Sequence, residues 1–398
     1  MITGIKQRLV DVNDAEDEAG LAYKWAQAQN YASDCLLSQE SAPELGEVVG
    51  TGYVARDLIQ MVNAADGEGA PLNFYGLSYG SIIGPTFAAL FPDRVGRIVL
   101  DGIVNIPEYY HGFNRAWFKD ADNALLNLFE RCVAAGPSLC PLASRNDTAA
   151  QLNNHFYKTL DDLRTDPIPL GSTFVLDPSS LKLGLRIALY GPANYLPLTV
   201  LFDELFQPAD KRNLTALAEV WLPLADAADL TGVLTDDSAS GIFCGDKTLR
   251  VGEFSGVYPD LAREFANISR SLGDMANNLD YPCLVWPWHA KGAYQGSWHE
   301  EIETKNPILF VGNTYDPVSP VSNGHNGSAI FKGAAVLEHQ GVGHCSLAHV
   351  SLCTSKALRS YFVDGELPKE GTKCPTQFGA FEVGKTWKDA LLPEMAWE

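Results

Sequence analysis

The chain has 398 residues, a length that predicts two or three structural units unless one large domain carries an insertion. Hydrophobic residues make up 46% of the sequence and charged residues 20%, which excludes wholesale disorder and allows a substantial core. The formal net charge of −20 excludes an electrostatic surface for nucleic acid or an anionic membrane. No apolar run approaches the roughly 20 residues that a membrane-spanning helix needs.

The cysteine and sequon content indicates a secreted glycoprotein. Eight cysteines without a Cys-x-x-Cys pair favour disulfides or buried thiols over a metal cluster, and no metal is predicted. The four candidate glycosylation sites are Asn146, Asn213, Asn267 and Asn326. Residues 1–20 have no apolar segment of the kind found in signal peptides, so this chain is predicted to lack that signal.

The first hundred residues have the order of elements that is typical of a parallel sheet. The apolar face of the second helix is assigned to Val54, Leu58, Met61 and Val62. The predicted elements are helices at 14–30 (Asp14 near its N-cap) and from about residue 51, a strand at 71–75, a turn at 76–80, a helix at 81–91 and a strand at 97–101.

The middle of the chain has a different pattern. Residues 107–306 contain mostly amphipathic helices, and we interpret them as an inserted helical cap rather than as sheet. The elements predicted after the cap are strands at 307–312 and 334–338 and a helix at 347–362 that Gly365 ends. The prediction is one α/β core, formed by residues 1–106 and 307–398 and interrupted by the cap.

A candidate nucleophile lies between the first predicted strand and the helix after it. The sequence Gly76-Leu-Ser-Tyr-Gly80 fits the G-x-S-x-G pattern of a nucleophile elbow. The two glycines allow a tight turn, which exposes Ser78 at the sheet edge. The backbone N–H of Tyr79 is the candidate oxyanion donor.

A serine hydroxyl needs a base, and the base needs an acid that orients it. His344 follows a strand and a Gly-Val-Gly turn, whereas the other seven histidines are assigned to the cap or to ordinary loops. Asp316 follows a buried strand, so its carboxylate is expected at the carboxyl edge of the sheet. The order Ser78, Asp316, His344 is that of α/β-hydrolases. Asp101 also ends a strand, one unit after the elbow, and is the rival candidate for the acid. We prefer Asp316 and interpret Asp101 as a structural or supporting carboxylate.

Several strings resemble the tripeptidyl-aminopeptidase-like α/β-hydrolases, relatives of the prolyl aminopeptidases. They are YGLSYGSIIG, FPDRVGRIVLDGIV, NTYDPVSP and GVGHCSLAHVSLC…YFVDGELPKEGTKC. The resemblance implies an α/β-hydrolase fold with a helical cap, the triad Ser78, Asp316 and His344, and an exopeptidase that acts on free N-termini. It also implies disulfides between Cys244 and Cys283 and between Cys353 and Cys374.

The sequence departs from this family ahead of Ser78. The family places several strands and a glycine-rich oxyanion loop there, whereas the 77 residues that precede Ser78 are predicted to be mostly helical. The second oxyanion donor therefore has no candidate, and few or no strands are expected before Pro71. Two explanations fit: a truncated product whose missing front carried the signal peptide, or a degenerate hydrolase.

The leading hypothesis is a serine exopeptidase with no cofactor, which releases short peptides or residues from free N-termini. One alternative is an esterase or lactone hydrolase with the same triad, and another is a non-catalytic homologue that binds a ligand. The expected partner is a peptide or a small ester, with neither nucleic acid nor membrane. The oligomeric state and the residue preference stay open.

Two further assignments concern the cap and the remaining cysteines. Asp246 is the candidate ligand of the substrate ammonium, because a bridge at Cys244 would hold it near the return of the cap to the core. Cys132 and Cys140 flank a short loop and are predicted to pair. Cys35 and Cys345 are left over, and a bond between them is inferred only by elimination.

Overall fold

The computed structural model describes residues 17–39, 42–171, 174–230, 237–382 and 384–395. The predicted helix start at Asp14 lies outside these ranges. Their strands are β1 Leu72–Leu77, β2 Val95–Asp101, β3 Ile168–Leu170, β4 Phe174–Leu176, β5 Leu309–Tyr315, β6 Ala335–Val342 and β7 Lys373–Pro375.

The helices of the same ranges, numbered in chain order, are α1 Glu18–Ser38, α2 Thr51–Asp66, α3 Gly80–Leu90, α4 Ile106–His111, α5 Ala121–Ala135, α6 Ala149–Asp162, α7 Pro178–Ala188, α8 Tyr195–Leu205, α9 Leu214–Leu230, α10 Asp237–Asp246, α11 Phe254–Ile268, α12 Asn277–Leu284, α13 Val321–Ser328, α14 Leu352–Asp364 and α15 Trp387–Met395. None of these helices is long and apolar enough to cross a membrane.

The central sheet is parallel and has the strand order β1-β2-β5-β6-β7. Successive residues of β2 point to opposite faces, so Ile98 and Leu100 pack with α2 and α3 on one side. Val99 packs on the other side with Tyr361 of α14. Burial on both faces explains why β2 and β5 are nearly continuous apolar runs in the sequence. The α/β-hydrolase arrangement predicted from the sequence is confirmed.

Two predicted helices differ from the structure. Residues 18–38 form α1, and the Asp17 side chain caps it by accepting a hydrogen bond from the Gly20 amide at 3.0 Å. In α2 the buried face is Ala55, Ile59 and Val62, whereas Met61 is 64% exposed. The predicted face of α2 is therefore confirmed for Val62 and wrong for Met61, and Leu58 packs partly buried against the same core.

Within residues 17–39 and 42–71 no strand precedes β1, as the sequence predicted. β1 pairs with β2 on one side, and no other strand among the described residues pairs with its second edge.

The segment between β2 and β5 is mostly helical and has a core of its own. This core is built from large fully buried side chains of α5, α6, α8 and α9, among them Phe129, Phe156, Phe202 and Trp221. The segment was predicted to be mostly helix without sheet, but β3 and β4 form an antiparallel hairpin there. The limits at 107 and 306 stay predictions.

The last core helix begins later than predicted. α14 starts at Leu352, because the Ser351 side chain accepts a hydrogen bond from the Thr354 amide at 3.2 Å and so caps it there. Gly365 ends the helix in a left-handed conformation, as predicted, with φ +77°.

Candidate active site

Ser78 occupies a strained turn between β1 and α3. Its φ angle is +55°, a conformation that costs energy in residues with a side chain and is found at functional sites. A Cβ atom on Gly76 would lie 2.4 Å from the Gly80 carbonyl oxygen, so the turn requires glycine at position 76. The Ser78 amide donates to the Asp101 carbonyl oxygen at 2.9 Å, which joins the turn to the end of β2.

The structure brings Ser78, His344 and Asp316 together, although 266 positions separate the first two. The Nε2 atom of His344 lies 2.7 Å from the Ser78 Oγ atom, and its Nδ1 atom lies 2.9 Å from Asp316 Oδ2. The His344 amide donates to the carbonyl oxygen of Tyr190 at 2.9 Å. His344 is therefore held in two ways: its imidazole contacts Ser78 and Asp316 of the core, and its backbone amide bonds to Tyr190 of the cap.

Asp316 is completely buried at the end of β5. Burial would raise the pKa of this carboxyl, but the adjacent His344 and the backbone amides of Val318 and Ser319 hold the pKa below its ordinary value. The two amides donate to Oδ1 at 3.0 and 2.8 Å. Asp316 is therefore maintained as a carboxylate that can orient the imidazole.

Ser319 is a fourth member of this group that the sequence analysis did not identify. Its hydroxyl donates to Asp316 Oδ2 at 2.8 Å and lies 3.1 Å from His344 Nδ1. The available signal was its place three residues after Asp316 in a turn that contains two prolines.

Asp101 has other partners and does not contact His344. Its carboxylate accepts hydrogen bonds from the amide and the hydroxyl of Ser346 and from the Tyr75 hydroxyl. Burial raises the pKa of Asp101 above its ordinary value. These bonds join β1, β2 and the loop after His344, which is the structural role inferred from the sequence.

Tyr79 follows the candidate nucleophile and stands at the N-cap of α3. The first amides of a helix have no partner within it, and they point towards negative charge. This placement suits the Tyr79 amide to an oxyanion. The Tyr79 hydroxyl lies 2.6 Å from the Thr51 hydroxyl at the start of α2.

Asp246 lies at the end of α10 and is only 2% exposed. It accepts hydrogen bonds from the Thr51 amide and from the Tyr109 hydroxyl, at 2.8 and 2.9 Å, and from the Thr51 hydroxyl. Burial raises its pKa to about 6, although these bonds act in the opposite direction. A polar chain therefore runs from Asp246 through Thr51 to the Tyr79 side chain.

The assignment of the remaining histidines to the cap and to ordinary loops is wrong for His339. This residue lies in β6, is fully buried, and has its Nδ1 atom 2.9 Å from the Thr354 hydroxyl. Burial lowers its pKa to about 4. The sequence analysis did not anticipate a histidine within this strand. The buried ring packs there as an uncharged group of the core.

The three predicted disulfides are present: Cys132–Cys140, Cys244–Cys283 and Cys353–Cys374. The pairing of Cys35 with Cys345 is wrong, because both are free cysteines. Cys35 packs beside the aromatic cluster of Trp286, whereas the thiol of Cys345 lies 3.5 Å from the Asp101 carbonyl oxygen, behind the candidate active site. A disulfide requires a close approach that these positions do not allow.

The four sequon asparagines, Asn146, Asn213, Asn267 and Asn326, are exposed. Their glycosylation stays a prediction.

The strand order, the elbow and the parallel sheet are those of the α/β-hydrolase fold. Residues 269–374 match the family model described as "TAP-like protein". The chain is 24% identical to the tripeptidyl aminopeptidase of Streptomyces lividans, over 87% of this chain and 62% of that protein. The serine protease Hip1 of Mycobacterium tuberculosis is 27% identical, over 82% and 62% of the two chains.

A carboxylesterase B of Mycobacterium tuberculosis is 26% identical over 71% of this chain and 53% of that protein. The chain thus spans between 53% and 62% of the length of these three relatives. The resemblance to the tripeptidyl-aminopeptidase-like hydrolases is confirmed, and the matches support a hydrolase of the α/β-hydrolase superfamily.

Proposed function

We propose that this protein is a serine hydrolase that cleaves peptides close to a free N-terminus. The observation that carries the proposal is the line of contacts from Ser78 through His344 to Asp316, with separations of 2.7 and 2.9 Å. A serine within hydrogen-bond reach of an imidazole, which is itself oriented by a buried carboxylate, is the arrangement that activates a hydroxyl.

The reaction proceeds in two halves. The Ser78 Oγ atom attacks the substrate carbonyl carbon while His344 Nε2 takes the hydroxyl proton, and Asp316 stabilises the imidazolium. His344 then gives the proton to the departing amine as the carbon–nitrogen bond breaks. Water, activated by the same imidazole, hydrolyses the acyl-enzyme and restores Ser78. No cofactor takes part in this scheme.

The amide of Tyr79 is the proposed donor to the oxyanion that forms in both halves. Its position at the N-terminus of α3 supports this role. The loss of one donor lowers rates by about 10²–10³ in enzymes where this was tested, so a site with a single donor is expected to turn over more slowly.

Recognition of the substrate ammonium by Asp246 belongs to the same proposal. Both carboxylate oxygens already accept bonds from Thr51 and Tyr109, so an ammonium reaches Asp246 by replacing one of these hydroxyl donors. Asp246→Asn then abolishes the preference for unblocked over N-acetylated peptides. If Asp246→Asn leaves the preference for unblocked peptides unchanged, Asp246 serves only the hydrogen-bond network with Thr51 and Tyr109.

The second candidate is an esterase, and the similarity to a carboxylesterase favours it. The same triad accepts esters and amides, so the leaving group and the cap decide between the two activities. The three disulfides also support our proposal that the protein works outside the cell.

A fluorophosphonate probe tests the shared chemistry, with Ser78→Ala as the matched control. We expect the probe to label the wild-type protein at Ser78 and to leave the variant unlabelled. Failure to label the folded wild-type protein would favour the non-catalytic alternative. Tripeptidyl anilides with free and acetylated N-termini, compared with simple acyl esters, then separate the exopeptidase from the esterase.

A further inference from the structure

Arg186, on α7 of the cap, is a buried cation that forms no ion pair with any residue that the structure describes. The residue is 4% exposed, and its Nε atom is buried without a hydrogen-bond partner. In the part of the chain that the structure describes, no carboxylate lies within 4.0 Å of its guanidinium. Buried charges are normally paired, because removing them from water is costly.

Two other buried cations of the cap, Lys182 and Lys247, and the partly buried Arg250 are satisfied. Lys182 lies 2.7 Å from Asp274, and Lys247 lies 3.2 Å from Asp280. The guanidinium of Arg250 donates to backbone carbonyl oxygens, including those of Cys244 and Trp288. Arg186 differs from them because, among the described residues, its side-chain hydrogen-bond partner is a neutral hydroxyl.

That hydroxyl belongs to Tyr190, which connects Arg186 to the candidate active site. The Nη2 atom of Arg186 donates to the Tyr190 hydroxyl at 3.2 Å, and the guanidinium lies 5.6 Å from the centre of the tyrosine ring. The same ring packs edge-on against His344, with 4.9 Å between the ring centres. Tyr190, which contacts both Arg186 and His344, is only partly buried and so borders accessible space.

The role of His344 in catalysis indicates which part of a substrate would lie near Tyr190 and Arg186. His344 must deliver its proton to the leaving group, so the leaving group lies on the imidazole side of Ser78. Tyr190 covers that imidazole, and Arg186 lies directly beyond Tyr190. Arginine has a planar fork of donors that matches a carboxylate, and pairing would satisfy the buried charge.

We propose that Arg186 binds a carboxylate on the leaving portion of the substrate. This inference rests on the proposed hydrolase function and specifies its substrate class: short peptides with a negative charge a few atoms beyond the scissile bond. The charge comes either from a free C-terminus or from an acidic side chain.

Three peptides of equal length, identical up to the scissile bond, distinguish these sources. One has a free C-terminus, the second is amidated, and the third is amidated with aspartate in the leaving portion. We expect kcat/KM of the wild-type protein to be about tenfold or more higher for a charged peptide than for the neutral amide, mainly through KM. The peptide that shows the preference identifies the source of the carboxylate.

In Arg186→Gln the preference should vanish, so that the charged peptides and the neutral amide are hydrolysed with equal kcat/KM. Arg186→Lys should keep part of the preference, and Arg145→Gln, in a cap arginine that already pairs with Asp147 and Asp203, should keep all of it. Equal rates for the three peptides, or a preference that survives in Arg186→Gln, would overturn the proposal.

Binding measurements keep the inference separate from turnover. Calorimetry with Ser78→Ala should show tighter binding of the charged peptide than of its amide, and the double variant Ser78→Ala/Arg186→Gln should bind both equally. Equal binding to Ser78→Ala would reject the role of Arg186. If the wild-type protein hydrolyses none of the peptides but Ser78→Ala still binds the charged peptide more tightly, the proposed function is rejected instead.

Discussion

Gly102 lies directly against the imidazole of His344. Its φ angle is +66°, and a Cβ atom built on it would lie 3.1 Å from His344 Cε1 and 2.4 Å from the Cys345 thiol. The residue therefore meets two requirements that only glycine satisfies: a left-handed backbone and close contact with the candidate base.

Gly102→Ala should consequently displace His344 and lower kcat by at least about tenfold, in addition to about 1–2 kcal/mol of backbone strain. Gly136→Ala is the matched control, because Gly136 has a φ angle of +74° and a Cβ atom added to it would meet nothing within 4 Å. Gly136→Ala should lower the stability of the protein and leave kcat unchanged. Equal activity losses in the two variants would show that the contact with His344 is unimportant.

Ser319→Ala removes a hydroxyl that donates to Asp316 and lies beside His344. We expect kcat to fall about tenfold with little change in KM, because the loss concerns the orientation of the imidazole. Ser319→Thr should restore activity since it keeps the hydroxyl. Steady-state kinetics check both variants, and a change confined to KM would contradict this role.

The raised pKa of Asp246 predicts a pH-dependent stability. Burial raises the pKa to about 6, so between about pH 4 and 6 the folded protein holds a proton that the unfolded chain releases. The free energy of unfolding should therefore fall as pH rises through this window, by roughly 3 kcal/mol for this group. Denaturant unfolding of Asp246→Asn at several pH values should not show this fall in the free energy of unfolding. Identical pH profiles for the variant and the wild-type protein would reject the prediction.

The buried pair of Lys247 and Asp280 should be costly to break from one side. Both side chains are fully buried, and Nζ lies 3.2 Å from Oδ1. Lys247→Met leaves an uncompensated carboxylate and should cost about 3–5 kcal/mol of stability. Asp280→Asn in the same chain should recover part of that loss. A double-mutant cycle by denaturant unfolding measures the coupling energy between the two residues. If the stability losses of the two single variants add up to that of the double variant, the predicted coupling is contradicted.

The disulfides should differ in their contribution. Cys244 and Cys283 are 39 positions apart, whereas Cys132 and Cys140 are 8 apart. Chain entropy predicts losses of about 4 and about 2.5 kcal/mol when each pair is replaced by alanine. Denaturant unfolding of the two double variants tests this order. The reverse order would show that native-state contacts outweigh loop closure.

The sequence by itself determined the local parts of this protein. The turn at Ser78 was predictable because glycines at 76 and 80 permit a tight turn that residues with a Cβ atom would obstruct. The buried strands, the ending of α14 at Gly365 and the short-range Cys132–Cys140 bond also depend on neighbouring residues. The assembly of Ser78, Asp316 and His344 was predictable from their order and from the strands that carry them.

Only the tertiary structure decided which face of α2 is buried, that His339 packs neutral in β6, and that Cys35 and Cys345 lie too far apart to pair. It also revealed the contact of Ser319 with Asp316 and the line from Arg186 through Tyr190 to His344. These features depend on contacts between segments far apart in the chain. Their energies arise from burial and pairing, which no local pattern of residues encodes.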